Sequence, residues 1–370
     1  MILQRTLPEV VADILIYHGA LVEHTGEGSL EVIMPENISR TLGISEHTKF
    51  CFSHNEIDDN HAVYASYDSD VFRTITKLFA GSGKFSNARL ISPFPNNTKL
   101  AKVLTNHISF KNAIFRFVQI ERKDISYLLL CFKYTALSDD KREGILSVLI
   151  NLTNMSIQTI GNDTEDIIEK LKASNSHFSI DKSEMVKIFW AAYSAARDTV
   201  KVQLKDFIKS LERRLNRDIK RVYEYYQTLK TETEKTIEKK GEGIEKLLNK
   251  LDAIETELKA KIQDITAKYT LNIKVEPVAA IRIETTAPLF WITIKRRLAS
   301  RHFPVTYNPI TRGFDDLPCE SCFNPQGGYY VCDDHLHIVC SDCFEACSIC
   351  GKQYCRACHK NNCPKCEKGK

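Results

Sequence analysis

The sequence predicts an α+β protein. It reads as an N-terminal α+β domain, a long antiparallel coiled-coil hairpin, a small β segment and a C-terminal multi-zinc module. Three observations carry that reading. Short helical and strand patterns alternate through residues 1–160. Apolar residues recur every three or four positions from 204 to 269. Eleven of the 13 cysteines fall between Cys319 and Cys366. The domain boundaries that follow are 1–160, a linker with a short helix at 161–181, the helical hairpin at 182–270, a short β segment with a basic stretch at 271–313, and the cysteine-rich domain at 314–370.

Residues 8–18 read as a helix, with Pro8 early and Gly19 just past the end. Residues 20–23 and 30–34 read as a hairpin across 25–28. A short helix at 35–42 is stopped by Gly43, a strand follows at 62–66, and a helix at 68–79 ends near Gly81. The strongest strand signals are 110–120 and 125–135, with Arg122, Lys123 and Asp124 as the turn between them. The apolar run 145–152 fits a buried strand or a buried helix equally well. Residues 163–173 read as a helix after a turn at Gly161 and Asn162, and the polar run 174–179 as a linker.

Leu204, Ile208, Leu211, Leu215, Ile219, Val222, Tyr226 and Leu229 form one apolar stripe. Ile244, Leu247, Leu251, Ile254, Leu258, Ile262, Ile265 and Tyr269 form another. Gly241, Glu242 and Gly243 separate them, and glycine pairs permit a reversal. The second arm, roughly 40 Å long at about 1.5 Å per residue, could pack back along the first. One continuous kinked rod is the alternative. Residues 271–275, 279–285 and 290–294 are strand-like and are punctuated by Pro277 and Pro288.

From Cys319 onward, ligand types come in pairs. They are Cys319/Cys322, Cys332 with His335 or His337, Cys340/Cys343, Cys347/Cys350, Cys355/Cys358 and Cys363/Cys366. The N-terminus is too interrupted by charge and proline for a secretory signal. No stretch has the roughly 18 apolar residues of a membrane helix. A soluble chain in a reducing cytoplasm is therefore expected, where dense cysteines favour metal over disulfides. The C-x2-C spacing puts two thiolates on neighbouring corners of a tetrahedron. Eleven cysteines and one histidine make twelve ligands, enough for about three closed, structural Zn²⁺ sites. In one pairing, Cys319/Cys322 join Cys332 and a histidine, Cys340/Cys343 join Cys355/Cys358, and Cys347/Cys350 join Cys363/Cys366. In another, the first four pairs interleave and Cys355 to Cys366 form a compact knuckle. The first is preferred because that knuckle's loop would be only four residues. His335 is preferred over His337 because C-x2-H matches the other pairs, and His359 reads as a surface residue. Cys51 and Cys131 read as small buried hydrophobes.

Net charge is +4, but residues 1–60 carry three Lys/Arg against ten Asp/Glu. An acidic head on a basic body suggests two surfaces with different partners. Residues 201–240 hold 12 Lys/Arg against seven acids, the pattern of a solvated coiled-coil face. Lys295, Arg296, Arg297 and Arg301 lie in a stretch free of acids, and Lys352, Arg356, Lys360, Lys365, Lys368 and Lys370 decorate the last zinc segment. These cations, Lys295, Arg296, Arg297, Arg301, Lys352 and Arg356 foremost, are candidate contacts to DNA or RNA phosphate. Gly81, Ser82, Gly83 and Lys84 fail as a phosphate loop, since Leu78 replaces the first glycine and Phe85 the Ser/Thr. The acidic pairs Asp58/Asp59, Asp139/Asp140 and Asp315/Asp316 read as solvated turns. No catalytic constellation appears, so no enzyme activity is expected.

Two resemblances add to this. HISFKNAIFRF (107–117), KYTALSDDKREGILSVLINL (133–152) and LERRLNRDIKRVYEYYQTL (211–229) resemble regions beyond the motor in bacterial Swi/Snf-type helicases of the RapA/HepA kind, and proteins associated with them. With no motor motif present, that resemblance implies an accessory subunit and a helicase-type ATPase as partner. Cys347-Ser348-Ile349-Cys350 and Cys363-Pro364-Lys365-Cys366 resemble the opening and closing of a RING-like or treble-clef zinc domain. That resemblance implies, as the alternative function, a ubiquitin-type ligase module contacting its E2 through Ile349. The leading expectation is a non-enzymatic zinc-binding scaffold with a protein partner, able to self-associate through the coiled coil, and without a membrane partner.

Overall fold

The chain divides into two units, residues 1–84 and 85–370. The structure, a computed structural model, describes residues 6–25, 28–53, 62–78, 84–93, 97–161, 164–176, 179–239, 244–323, 328–360 and 363–367.

The first unit contains α1 (Leu7–Tyr17), β1 (Leu21–Thr25), β2 (Ser29–Ile33), α2 (Glu36–Leu42), β3 (His47–Cys51), β4 (Ala62–Tyr64) and α3 (Asp70–Lys77). The strands form one sheet in the order β1-β2-β3-β4, antiparallel except for the β3–β4 pair. The Glu9 carboxylate accepts from the Thr6 N–H at 2.7 Å and fixes the start of α1. Gly43 ends α2 at φ +69°, a left-handed position that favours glycine. Leu30, Val32 and Phe50 from the sheet pack with Val11, Leu15, Ile38 and Ile75 from the helices. Cys51 is buried, as expected of a small hydrophobe.

The second unit contains β5 (Phe85–Leu90), α4 (Asn97–His107), β6 (Ile114–Leu137), β7 (Lys141–Asn151), β8 (Ile157–Ile160), α5 (Thr164–Glu169), β9 (Lys172–Ala173), α6 (Lys182–Gln203), α7 (Lys205–Lys239), α8 (Ile244–Tyr269), β10 (Asn272–Arg296), β11 (Ala299–Asn308) and β12 (Gly313–Phe314). Its sheet runs β12-β11-β10-β6-β7-β8. β5 pairs in parallel with β10, and β9 pairs with β5. An N-terminal domain of 1–160 is therefore corrected. Residues 85–160 share a sheet with 272–314, and the compact N-terminal unit closes at Lys84.

Two strand assignments also change. The expected hairpin 110–120/125–135 is one strand, because Arg122, Lys123 and Asp124 pair straight across to Pro288, Ala287 and Thr286. That triplet lacks the glycine, proline or asparagine that makes a reversal cheap. The three short strands expected at 271–294 are likewise one, β10, despite two prolines. Pro277 sits at a register shift. Pro288 sits where β10 changes its second neighbour from β5, paired through Thr285, to β11, paired from Leu289. Proline is tolerated where a ladder is interrupted.

Strand alternation builds the cores. Leu128, Leu130 and Phe132 face α6, where Ile188, Ala192, Ala195, Ala196 and Val200 recur at helical spacing. Tyr127, Leu129 and Ile125 face the opposite side, with Ile167 of α5. Residues 145–151 of the run are strand, and its apolar continuity follows from burial at every position from Leu146 to Asn151. α6 is a sheet-packing helix, separate from the expected hairpin.

α7 and α8 run antiparallel. Tyr269 donates to Asp218 at 2.7 Å, and Lys230 meets Glu255 at 2.7 Å further along. The expected tip at Gly241 lies outside the described residues, as do Gly81 to Gly83, Asp58/Asp59, Lys368 and Lys370. Asp139 and Asp140 are not simply solvated. They hold Arg214 of α7 at 3.4 and 2.7 Å, and Asp139 holds Lys268 of α8 at 3.2 Å. No helix among the described residues is long and apolar enough to cross a membrane.

Candidate metal centre

Residues 314–370 are short on large apolar side chains, and what replaces a core is a set of converging thiols. β13 (Tyr329–Val331) and β14 (Ile338–Cys340) form one hairpin, and β15 (Phe344–Ala346) and β16 (Gln353–Cys355) a second. Two four-residue helices follow, α9 (Arg356–His359) and α10 (Pro364–Glu367). Cys332 follows β13 directly, Cys340 ends β14, and Cys355 ends β16 one turn before Cys358. Tight turns thus supply each pair of ligands.

Three groups converge. They are Cys319, Cys322, Cys340 and Cys343; Cys332, His337, Cys355 and Cys358; and Cys347, Cys350, Cys363 and Cys366. Within each, all ligand atoms lie within 4.8 Å of one another. The Sγ–Sγ distances are 3.8 Å for Cys322–Cys340, Cys332–Cys358 and Cys347–Cys366, and 3.7 Å for Cys350–Cys363. A disulfide would need about 2.05 Å. A tetrahedron of thiolates about 2.3 Å from a central ion has edges of about 3.8 Å. The donors therefore fit a tetrahedral metal ion, and all 13 cysteines are free of disulfides.

Backbone and neighbouring thiols prepare each site. The Cys340 N–H donates to the Cys319 sulfur at 3.3 Å, and the His337 N–H to the Cys332 sulfur at 3.2 Å. The Cys332 thiol is lowered to about 4, chiefly by hydrogen bonding from Cys355, and Cys319 to about 7 by Cys322. Their neighbours move the other way. Cys322, Cys343 and Cys355 are raised by the thiolate they face, and Cys358 is raised to about 11 by burial. Without a cation, like charges let one thiolate form at the expense of the rest.

The pairing matches neither sequence arrangement. Cys319/Cys322 take Cys340/Cys343, as in the interleaved alternative. Cys347/Cys350 take Cys363/Cys366, as in the preferred one. The middle group follows neither. Along the chain the pairs alternate, so each site encloses a ligand pair of the next. His337 replaces the expected His335. Leu336 lies between them at φ +55° with its side chain buried in the sheet's core, which leaves His335 exposed and turns His337 inward. His335 Nδ1 stays 3.5 Å from the Cys358 sulfur, outside the converging group. His359 bonds Asp334 at 3.0 Å.

Half of the basic stretch is committed to holding this module on the sheet. Arg301 of β11 donates through both terminal nitrogens to Glu320 at 2.7 Å, and Glu320 also accepts from the Ile338 N–H at 2.6 Å. Arg296 of β10 meets Asp333 at 2.6 Å and the Asn112 carbonyl at 2.7 Å. Arg356 pairs with Glu345 inside the module. As free phosphate contacts, Arg296, Arg301 and Arg356 are corrected, since their partners lie far off in sequence or across a hairpin. Lys295, Arg297 and Lys352 are exposed, with Arg297 3.4 Å from Asp333. Val331, Leu336 and Ile338 share a core with Phe290, Ile292, Phe303 and Leu104.

Of the acidic pair at 315–316, Asp316 is exposed as expected and Asp315 is not. Asp315 is 3% exposed and accepts from Tyr127 at 2.9 Å, Asn151 at 2.8 Å and Asn308 at 2.8 Å. Nothing in the local sequence distinguishes it from Asp316, because its partners come from β6, β7 and β11.

Comparison with models of known protein families gives no match, and comparison with curated proteins gives none.

Proposed function

We propose that the chain is a non-catalytic adaptor whose C-terminal module is built on three structural Zn²⁺ ions. The observation that carries this is the closure of each group: four protein donors at tetrahedral spacing complete a zinc coordination shell and leave no position for a reactive water. Sulfur-rich tetrahedral donors suit zinc better than magnesium or calcium. Bound zinc supplies a +2 charge that lets the thiols of a site ionise together. The adaptor then meets its partner through the exposed cations Lys295 and Arg297 at the end of the sheet and Lys352 in the module. An acidic partner, DNA or RNA included, suits that patch. A helicase-type ATPase as partner rests on the sequence resemblance alone.

Elemental analysis of reduced, intact protein tests the zinc count. About three zinc per chain is expected, and two or fewer overturns it. For the patch, Lys295→Glu, Arg297→Glu and Lys352→Glu together should weaken binding to DNA or RNA and flatten its salt dependence. Unchanged affinity retires the patch.

A second reading is a RING-like ligase module. The alternating ligand pairs favour it, as does Ile349, 82% exposed on the turn between Cys347 and Cys350. Discharge of ubiquitin from a panel of charged E2 enzymes that Ile349→Ala abolishes would move the assignment there.

A further inference from the structure

The same face of the long sheet is covered at two places and open between them. On one side Ala280 and Leu130 belong to the core under α6, and on the other Phe290 and Ile120 belong to the core under the metal module. Beyond the row Arg282–Leu128, whose Leu128 still packs under α6, come the rows Glu284–Ser126, Thr286–Asp124 and Pro288–Arg122. β5 adds Arg89 beside Glu284. β5 ends at Leu90 opposite Thr285 and β11 pairs only from Leu289, so the sheet is split beside β10 at residues 286–288 and a cleft of about 600 Å³ opens. That volume falls within the range of small-molecule sites.

The cleft's chemistry is ordered. Arg282 is largely buried in its floor. Glu284 holds it at 2.6 Å, and its terminal nitrogens reach the Ser126 and Ser176 hydroxyls at 3.3 Å. Those two hydroxyl contacts are long, and a stronger acceptor can displace them. Arg89 and Arg122 stand exposed at the rim. Asp124 is engaged by the Thr286 hydroxyl at 2.6 Å. Three guanidiniums against two carboxylates leave the cleft one positive charge in excess. Guanidiniums match phosphate oxygens in paired hydrogen bonds. Glu284 and Asp124 offer acceptors to hydroxyl groups.

We propose that this cleft binds a small phosphorylated polyol, such as a sugar phosphate, with the phosphate at Arg89, Arg122 and Arg282 and the hydroxyls toward Glu284 and Asp124. The site stands apart from the metal module and does not depend on the adaptor reading.

Calorimetric titration of the intact protein at constant ionic strength tests it, with ribose 5-phosphate, inorganic phosphate and ribose as probes. Saturable binding of ribose 5-phosphate, weaker binding of inorganic phosphate and none of ribose are expected. Arg89→Gln with Arg122→Gln, both at exposed positions, should weaken ribose 5-phosphate binding about tenfold or more with an unchanged thermal midpoint. Arg282→Lys, which keeps the charge but loses the fork, should weaken it too. No saturable binding by the unaltered protein overturns the proposal, as does equal affinity in the double variant.

Discussion

Asp315 concentrates the consequences of burial on one carboxylate. Burial raises its pKa above the ordinary range, and the Asn151, Asn308 and Tyr127 donors pull it part of the way back. Burial and, after it, the same carboxylate push the Tyr127 hydroxyl up. Asp315→Ala would orphan three buried donors, and a loss of about 3 kcal/mol in urea unfolding is expected. The pH sign follows from linkage. A carboxyl that holds its proton more tightly when folded adds stability below its ordinary pKa, and that contribution is lost as pH rises through the raised value. Urea midpoints of Asp315→Asn across that acid window should therefore fall less with rising pH than those of the unaltered protein. The two histidines make a second pair of tests. His337→Ala should release one metal equivalent, whereas His335→Ala should keep all of them, by elemental analysis.

Helices α6, α7 and α8 show what periodicity can and cannot specify. The apolar stripes on α7 and α8 are the residues that are buried or half-buried, from Leu211 to Tyr226 and from Leu247 to Tyr269. Leu211→Ala should cost about 2–3 kcal/mol, because its site is closed by neighbours on several sides. α6 carries the same period but packs on strands through Ala192, Ala195 and Ala196. Small residues let a helix approach a sheet closely, so Ala192→Leu should overpack it by about 1–3 kcal/mol. Both effects are read from chemical unfolding midpoints.

At the scale of the molecule, the metal module and the sheet are one construction. Arg301, Arg296 and the core around Val331 and Ile338 join them. Chelation should therefore release zinc and also raise amide exchange at the adjoining ends of β10 and β11, residues 289–308, while residues 6–53 keep their protection. Exchange confined to residues 319–366 would mean that the sheet end holds without metal. Arg301→Ala should loosen the same region, costing about 2 kcal/mol through the loss of its charged hydrogen bonds to Glu320. Read from the sequence, Lys295 to Arg301 were one basic patch. In the fold, two of these residues are clamps and two are surface.

Local chemistry was legible in the sequence alone. C-x2-C spacing marks metal ligands because two thiolates on one turn already span a tetrahedral edge. Apolar recurrence at three and four residues marks the faces of α7 and α8 because 3.6 residues complete a turn. Only the tertiary structure decided which ligand pairs share a site, that His337 turns inward, that Asp315 is buried, and that residues 114–137 and 272–296 run as unbroken strands. Those outcomes depend on partners far away in sequence. Leu336 must find the sheet core before His337 can face Cys332, and β10 must lie beside β6 before Arg122, Lys123 and Asp124 have a reason to stay extended.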